Sequence, residues 1–219
     1  MSITERYNII EENIAKACAD SGRKREEINE AISLGINRIG ENRVQELMEK
    51  YDRLDKSEIH LIGQLQTNKV KYIIDKVEFI HSLDRISLAT EIDKLAEKKS
   101  KSPMKVLVEI NIAGESTKSG IEPNKLTEFL DILTDFRYIN PVGLMTVAPG
   151  NANEYEQEMY FNQMRELLEK GKHVFGEKFK ELSMGMSRDY IAAIKNGATM
   201  IRLGTALFGE RIYNLEDIR

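Results

Sequence analysis

Two stretches toward the end of the chain carry the residue types best suited to hold an anion: SMGMSRD (183–189) and RLGTALFG (202–209). Each follows a short apolar run that reads as a strand. Small residues there let backbone N–H groups come close to a ligand, and a helix opening at Ser187 or Arg188 would turn its positive end toward a negative group. Ser187, Gly204 and Thr205 are therefore candidates for a phosphate cradle, although tight strand-to-helix turns would demand the same small residues. Arg202 sits between Ile201 and Leu203. Side chains alternate along a strand, so it faces opposite to both. An inward arginine would be paired or ligand-facing, because an unpaired buried charge is costly. One at a strand end could equally reach solvent or a structural carboxylate.

Other chemistry is thinly represented. His60, His81 and His173 lack metal-ligand spacing, and a satisfied structural histidine is the expectation for each. The one cysteine, Cys18, falls on an apolar helical stripe and reads as a buried small residue. Gly63, in HLIGQLQTNKV, could allow close approach of a ligand. No G-x-G-x-x-G follows the first strand, which argues against a dinucleotide fold.

The elements that would position these residues alternate regularly. Ser2 and Glu5 form a capping box for a helix running to about Ala19, and a second helix ends at Gly35. Strands are then expected at 36–40, 59–63, 77–83, 105–112, 139–147, 182–186 and 199–204. Helices fall between them at about 42–54, 67–75, 84–99 (Asp84 as N-cap), 123–135 and 153–170, with a short one ending at Gly197. Strand–helix alternation implies a parallel sheet and an α/β protein. The count favours a (β/α)8 TIM-type barrel over a doubly wound sheet, although one strand is lacking. With no linker or compositional break, residues 1–219 read as one barrel domain, with the helix of residues 1–22 outside the repeat. Functional groups in a barrel lie at the C-terminal ends of strands. Those positions are Gly40–Asn42, Gly63–Gln64, Ser82–Asp84, Asn111, Met145–Thr146, Ser183–Arg188 and Arg202–Thr205.

Composition narrows the class further. The chain has 219 residues, a formal charge of −4, 41% hydrophobic and 31% charged residues. That balance does not favour nucleic acid as a partner. No apolar run approaches the ~20 residues of a membrane span. No secretory leader is evident, and cytoplasm is the expected compartment.

GENRVQEL (40–47), HLIGQLQTNKVKYI (60–73), HSLD (81–84), VLVEINIAGESTKSGI (106–121), GLMTVAP (143–149) and LSMGMSRDYIAAIKNGATMIRLGTALFGER (182–211) resemble the pyridoxal phosphate homeostasis protein family. The resemblance runs from Ile28 onward. It implies a barrel like the N-terminal domain of alanine racemase, pyridoxal 5′-phosphate (PLP) as cofactor, and a role in PLP homeostasis without an assigned turnover. It places Ser187, Gly204 and Thr205 at the phosphate, Arg202 at the pyridine nitrogen, and Asn42, Ile62 and Met145 beside the ring. An arginine at that nitrogen would keep it unprotonated and make PLP a poorer electron sink. PLP-dependent apoenzymes are the partners it suggests, and a monomer is expected. A racemase-like enzyme, or a barrel enzyme acting on another phosphorylated metabolite, are the alternatives.

One part of the family pattern is missing. The resemblance implies a PLP-binding lysine at the end of a first barrel strand, in a stretch like AVSKT, after an N-terminal SGR. Here SGRK (21–24) runs directly into REEINEAI. Residues 22–26 could extend at most roughly 18 Å and leave no strand in the wall. The deficit, a strand with its turns, would be on the order of 10–15 residues. Either the natural protein has a strand that this sequence omits, which is preferred, or the deletion is real. Without that lysine the chain would hold PLP non-covalently.

Overall fold

The computed structural model describes residues 38–54, 57–99 and 102–205. The expected N-terminal helices, the SGRK junction and Cys18 lie outside the described residues.

Seven strands, all parallel, form one sheet in sequence order: β1 (Arg38–Glu41), β2 (Glu58–Leu61), β3 (Phe79–Leu83), β4 (Met104–Glu109), β5 (Ile139–Met145), β6 (Glu181–Met186) and β7 (Met200–Arg202). Between them run α1 (Val44–Lys50), α2 (Val70–Ile73), α3 (Ile86–Lys98), α4 (Leu126–Leu133), α5 (Glu154–Phe175) and α6 (Tyr190–Lys195), several prefaced or followed by a 3₁₀ turn.

The sheet is strongly curled. His81 on β3 lies 3.1 Å from Ser183 on β6. In a flat sheet three strand spacings would separate them by roughly 14 Å. Phe79 of β3 and Met200 of β7 likewise share one apolar cluster with Leu107, Val142 and Met145. The result is a nearly closed barrel, with no ladder between β7 and β1 among the described residues.

Alternation divides the strand side chains between two layers. Ile80, Val106, Val108, Leu144, Leu182 and Ile201 belong to the larger core, packed with the helices. The stripe of α3 that joins it, Leu88, Ala89, Ile92 and Ala96, recurs at helical spacing and is fully buried. Each large member of such a stripe contributes roughly 1.5–3 kcal/mol of burial.

Local expectations shift in three places. Asp84 does not cap α3: the N-cap is Arg85, without a side-chain cap bond, and Asp84 ion-pairs with Arg85 instead. The helix after β6 opens at Tyr190 rather than Ser187 or Arg188, because Asp189 folds back so that its carboxylate accepts the Met186 N–H and holds 187–189 as a turn. The long helix α5 begins as expected, with a full Asn153–Glu156 capping box, but runs on to Phe175, where Gly176 at φ 69° ends it.

Candidate functional site

Because every strand is parallel, all C-terminal ends share one mouth of the barrel. Asn42 follows β1, Ile62 follows β2, Met145 closes β5, Ser187 follows β6, Arg202 closes β7, and Gly204 and Thr205 come directly after. The register Met186↔Arg202 brings the end of β6, with Ser187 next in line, beside the Gly204–Thr205 turn. Gly185 makes that ending possible: its φ is 90°, and a Cβ there would stand 2.5 Å from the Ala193 Cβ on α6.

Gly63 has a different use from the close ligand approach its sequence suggests. A Cβ at Gly63 would lie 2.2 Å from the carbonyl oxygen of Asn42. The glycine thus lets the β2 loop close on the β1 loop, while Ile62 N–H donates to the Glu41 carbonyl at 2.9 Å. Asn42 and Ile62 are locked together as neighbours at the mouth. Asn111, another mouth position, uses its amide to fold its own loop: Nδ2 donates to the Glu115 carbonyl and Oδ1 accepts the Glu115 N–H.

Arg202 is 6% exposed. Its two terminal nitrogens are held by different strands: one donates to Ser183 Oγ at 2.7 Å, the other to the Thr146 carbonyl at 2.8 Å. Thr146 is in turn pinned by its hydroxyl, which donates to the Ile110 carbonyl. The guanidinium plane is therefore fixed from β5 and β6 together, and the solvent-reaching alternative is removed.

Ser183 continues inward. His81 Nδ1 lies 3.1 Å from Ser183 Oγ, and His81 Nε2 lies 2.8 Å from His60 Nδ1. His60 stacks on Phe79 at 4.5 Å between centroids, and its Nε2 is 3.3 Å from Glu58. Arg38 Nε donates to the other Glu58 oxygen at 2.8 Å. His60 and Arg38 together hold the Glu58 carboxyl down at about 2. His60 and His81 are buried, partnered histidines, as their sequence suggested, whereas His173 lies exposed at the end of α5.

Glu109, at the end of β4, completes the lining. It is 9% exposed, and only one of its oxygens is bonded, by the Ser119 hydroxyl at 2.7 Å; among the described residues Oε2 has no hydrogen-bond partner. Burial pushes its carboxyl above the usual range, with the Asp84 charge adding to the rise and Arg202 and Arg85 opposing it. Glu109 and the histidines were not singled out from the sequence as site residues, and Ser183 was marked only as part of the 183–188 stretch. Their inward parity could have marked them: Phe79 and His81 share a face, and so do Glu109 and Leu107.

Among the described residues no group of three or more His, Cys, Asp or Glu is placed to hold a metal ion, and no helix is long and apolar enough to cross a membrane.

The arrangement defines a class: a parallel barrel whose mouth joins small-residue turns to a fixed buried arginine. The family model for the alanine racemase N-terminal domain matches residues 14–212. A relative from Aquifex aeolicus, the pyridoxal phosphate homeostasis protein, is 42% identical over 97% of this chain and 100% of its own length. The chain belongs to the pyridoxal phosphate homeostasis protein family. Among solved structures, PipY of Synechococcus elongatus is similar both without PLP (TM-score 0.84, 32% identity, 95% of this chain and 100% of that one) and with PLP bound (0.80, 33%, the same coverage). The Aquifex alignment spans 229 positions against 219 residues here, so the relative carries residues that have no counterpart in this chain.

Proposed function

We propose that this chain binds pyridoxal 5′-phosphate and serves to hold and supply it, without turnover of its own. The observation that carries the reading is Arg202, buried and clamped by Ser183 and the Thr146 carbonyl at the mouth of the barrel. The likeness to PipY, which is solved with PLP, supports it.

The residues present fit the group. Ser187 and the backbone of Gly204 and Thr205 would take the phosphate, on the abutting ends of β6 and β7. Arg202 would face the pyridine nitrogen, with Asn42, Ile62 and Met145 against the ring. PLP supplies an electron-withdrawing ring and a reactive aldehyde when bound. A permanently charged arginine at the ring nitrogen keeps a proton off that atom, which suits holding the cofactor better than extensive carbanion chemistry. We further propose that the residues lacking against the Aquifex relative fall at 22–26, so that the hold is non-covalent. The reading takes the chain as one barrel domain, monomeric and cytoplasmic, delivering PLP to apoenzymes.

Equilibrium dialysis tests it. PLP should be retained, and pyridoxal, which lacks the phosphate, should bind about 100-fold more weakly, the worth of two charge-assisted hydrogen bonds. Equal binding of the two would overturn the phosphate assignment. Borohydride treatment of the loaded chain should leave no pyridoxyl adduct on any lysine; an adduct found by peptide mass spectrometry refutes the non-covalent hold.

A further inference from the structure

The end of β4 is built around one carboxyl. The register pairs Glu109 with Met145, and residues paired in this way on parallel strands turn their side chains to the same face. Met145 and Leu107, two residues before Glu109, both belong to the apolar cluster inside the barrel. Glu109 therefore stands on the interior face, one layer nearer the mouth than Leu107.

The loop that follows fixes half of this carboxyl. Ile121 returns to pair with Ile110; its N–H donates to the Glu109 carbonyl at 2.7 Å, and its own carbonyl accepts the Asn111 N–H at 3.0 Å. Gly120, at φ 109°, lets the returning chain come this close, since a Cβ there would stand 2.6 Å from the Asn111 nitrogen. Ser119, just before it, is thereby placed to donate its hydroxyl to Glu109 Oε1 at 2.7 Å. Oε2 has no hydrogen-bond partner among the described residues and is shielded from solvent. A polar atom that is neither paired nor hydrated is costly, and native structures keep few of them.

The surroundings suit a group that shares a proton. Asp84 from the end of β3, Arg85 from the start of α3 and Arg202 from β7 all bear on the Glu109 carboxyl, and burial with the Asp84 charge favours its protonated form. A protonated carboxyl offers a donor as well as an acceptor. Its terminal torsion is soft, so Oε2 can turn toward an incoming group while Ser119 keeps Oε1.

PLP has a group to match. It carries three polar handles: the phosphate arm on C5, the ring nitrogen and the oxygen on C3. C3 and C5 lie on opposite sides of the line from the nitrogen to C4. With the arm at Ser187 and the Gly204–Thr205 turn, and the nitrogen at Arg202, the C3 oxygen is turned away from the phosphate cradle. Glu109 offers its spare oxygen on β4, two strands from β6. We propose that Glu109 is a further ligand-contacting residue of this site: its Oε2 hydrogen-bonds the C3 oxygen of bound PLP and selects for ligands that carry that oxygen. One proton lies between the two oxygens, and no covalent bond to the ligand forms or breaks. Two anchored points leave a ring free to turn about the line that joins them. The third stops that rotation. The contact rests on the PLP reading above, with Arg202 and the β6–β7 turns in the roles given there.

A matched pair of ligands tests it: PLP, and 3-deoxypyridoxal 5′-phosphate, which keeps the phosphate, ring nitrogen and aldehyde but has hydrogen on C3. The unaltered chain should bind PLP about 10-fold more tightly than the deoxy compound, the worth of one buried hydrogen bond. Glu109→Met, close in volume but without a carboxyl, should lose that preference. PLP should bind about 10-fold more weakly to it, while the deoxy compound and inorganic phosphate bind as they do to the unaltered chain. Glu109→Gln keeps an acceptor for Ser119 and an N–H for the C3 oxygen, so it should retain most of the preference. It should still move the absorption maximum of bound PLP, which follows the ionisation of that oxygen, because an amide does not share a proton as a carboxyl does. Equal binding of the two ligands by the unaltered chain overturns the contact. So does an equal loss of both in Glu109→Met, the mark of a structural role alone. Should Glu109→Met fail to fold, an unchanged absorption maximum in Glu109→Gln overturns it as well. Failure of the unaltered chain to bind PLP at all overturns the functional reading and the contact together, whereas PLP binding without preference overturns the contact alone.

Discussion

Glu109 and Glu58 are two carboxyls of one barrel pushed in opposite directions. Burial raises Glu109, and folding therefore binds its proton more tightly than the unfolded chain does. Its ionised form costs stability above the folded pKa, and the cost disappears as pH falls through that value toward 4.5. Glu109→Gln keeps an acceptor for Ser119 and removes the charge. We expect the variant to be more stable at pH 8 by roughly 1 kcal/mol, or about 2–4 °C in thermal midpoint, with the gain shrinking toward pH 4.5. Thermal unfolding at both pH values checks this. Glu58 runs the other way: its folded pKa, about 2, lies below the ordinary 4.5, with the His60 contact the largest cause. Its stabilisation is complete above pH 4.5 and is lost as pH falls from there toward about 2. Over that window the unaltered chain should lose more stability than Glu58→Gln, measured by urea unfolding; parallel losses would refute the assignment. At this scale the sequence marked Arg202 by alternation alone. It did not mark Ser183 as Arg202's support, or His81 and then His60 as placed against it, because these come from three different strands and meet only when the sheet curls.

Among the elements, boundaries depended on which side chain captured a terminal N–H. Asn153 and Glu156 did so in the capping-box pattern, and α5 starts where the sequence says. Asp84 was drawn off by Arg85, whose side chain also donates to the Leu65 carbonyl. Asp189 reached back to Met186, and the turn it closes delays α6. Gly185 lies in β6 just before that turn, at φ 90°. Gly185→Ala must strain the backbone and crowd Ala193, costing on the order of 2 kcal/mol or more. Because the turn carries Ser187, the same substitution should weaken phosphate binding more than tenfold while the rest of the barrel keeps its circular dichroism. A variant that binds phosphate normally would separate the turn from the cradle.

At the scale of the molecule the described sheet has two ends. β4 and β5 pair along six residue positions, whereas β7 is a three-residue strand, and among the described residues β1 and β7 each have a ladder on one side only. Hydrogen exchange should therefore be slowest in β4 and β5, at Val106–Val108 and Val142–Leu144, and fastest among the strands in β1 and β7. Uniform protection across all seven strands would show that the edges are closed by other means.

The sequence by itself determined the alternation of strand and helix, the parallel sheet, the parity of Arg202 opposite to Ile201 and Leu203, the small-residue turns after β6 and β7, and the family. These follow from local periodicity and from motifs contiguous in the chain. Only the tertiary structure decided that the sheet curls until β3 meets β6. It also decided that Gly63 serves Asn42, and that Arg202 is held by Ser183, against which His81 and then His60 are placed. Those contacts join residues up to about a hundred positions apart, and their energies depend on burial and alignment that no local pattern encodes.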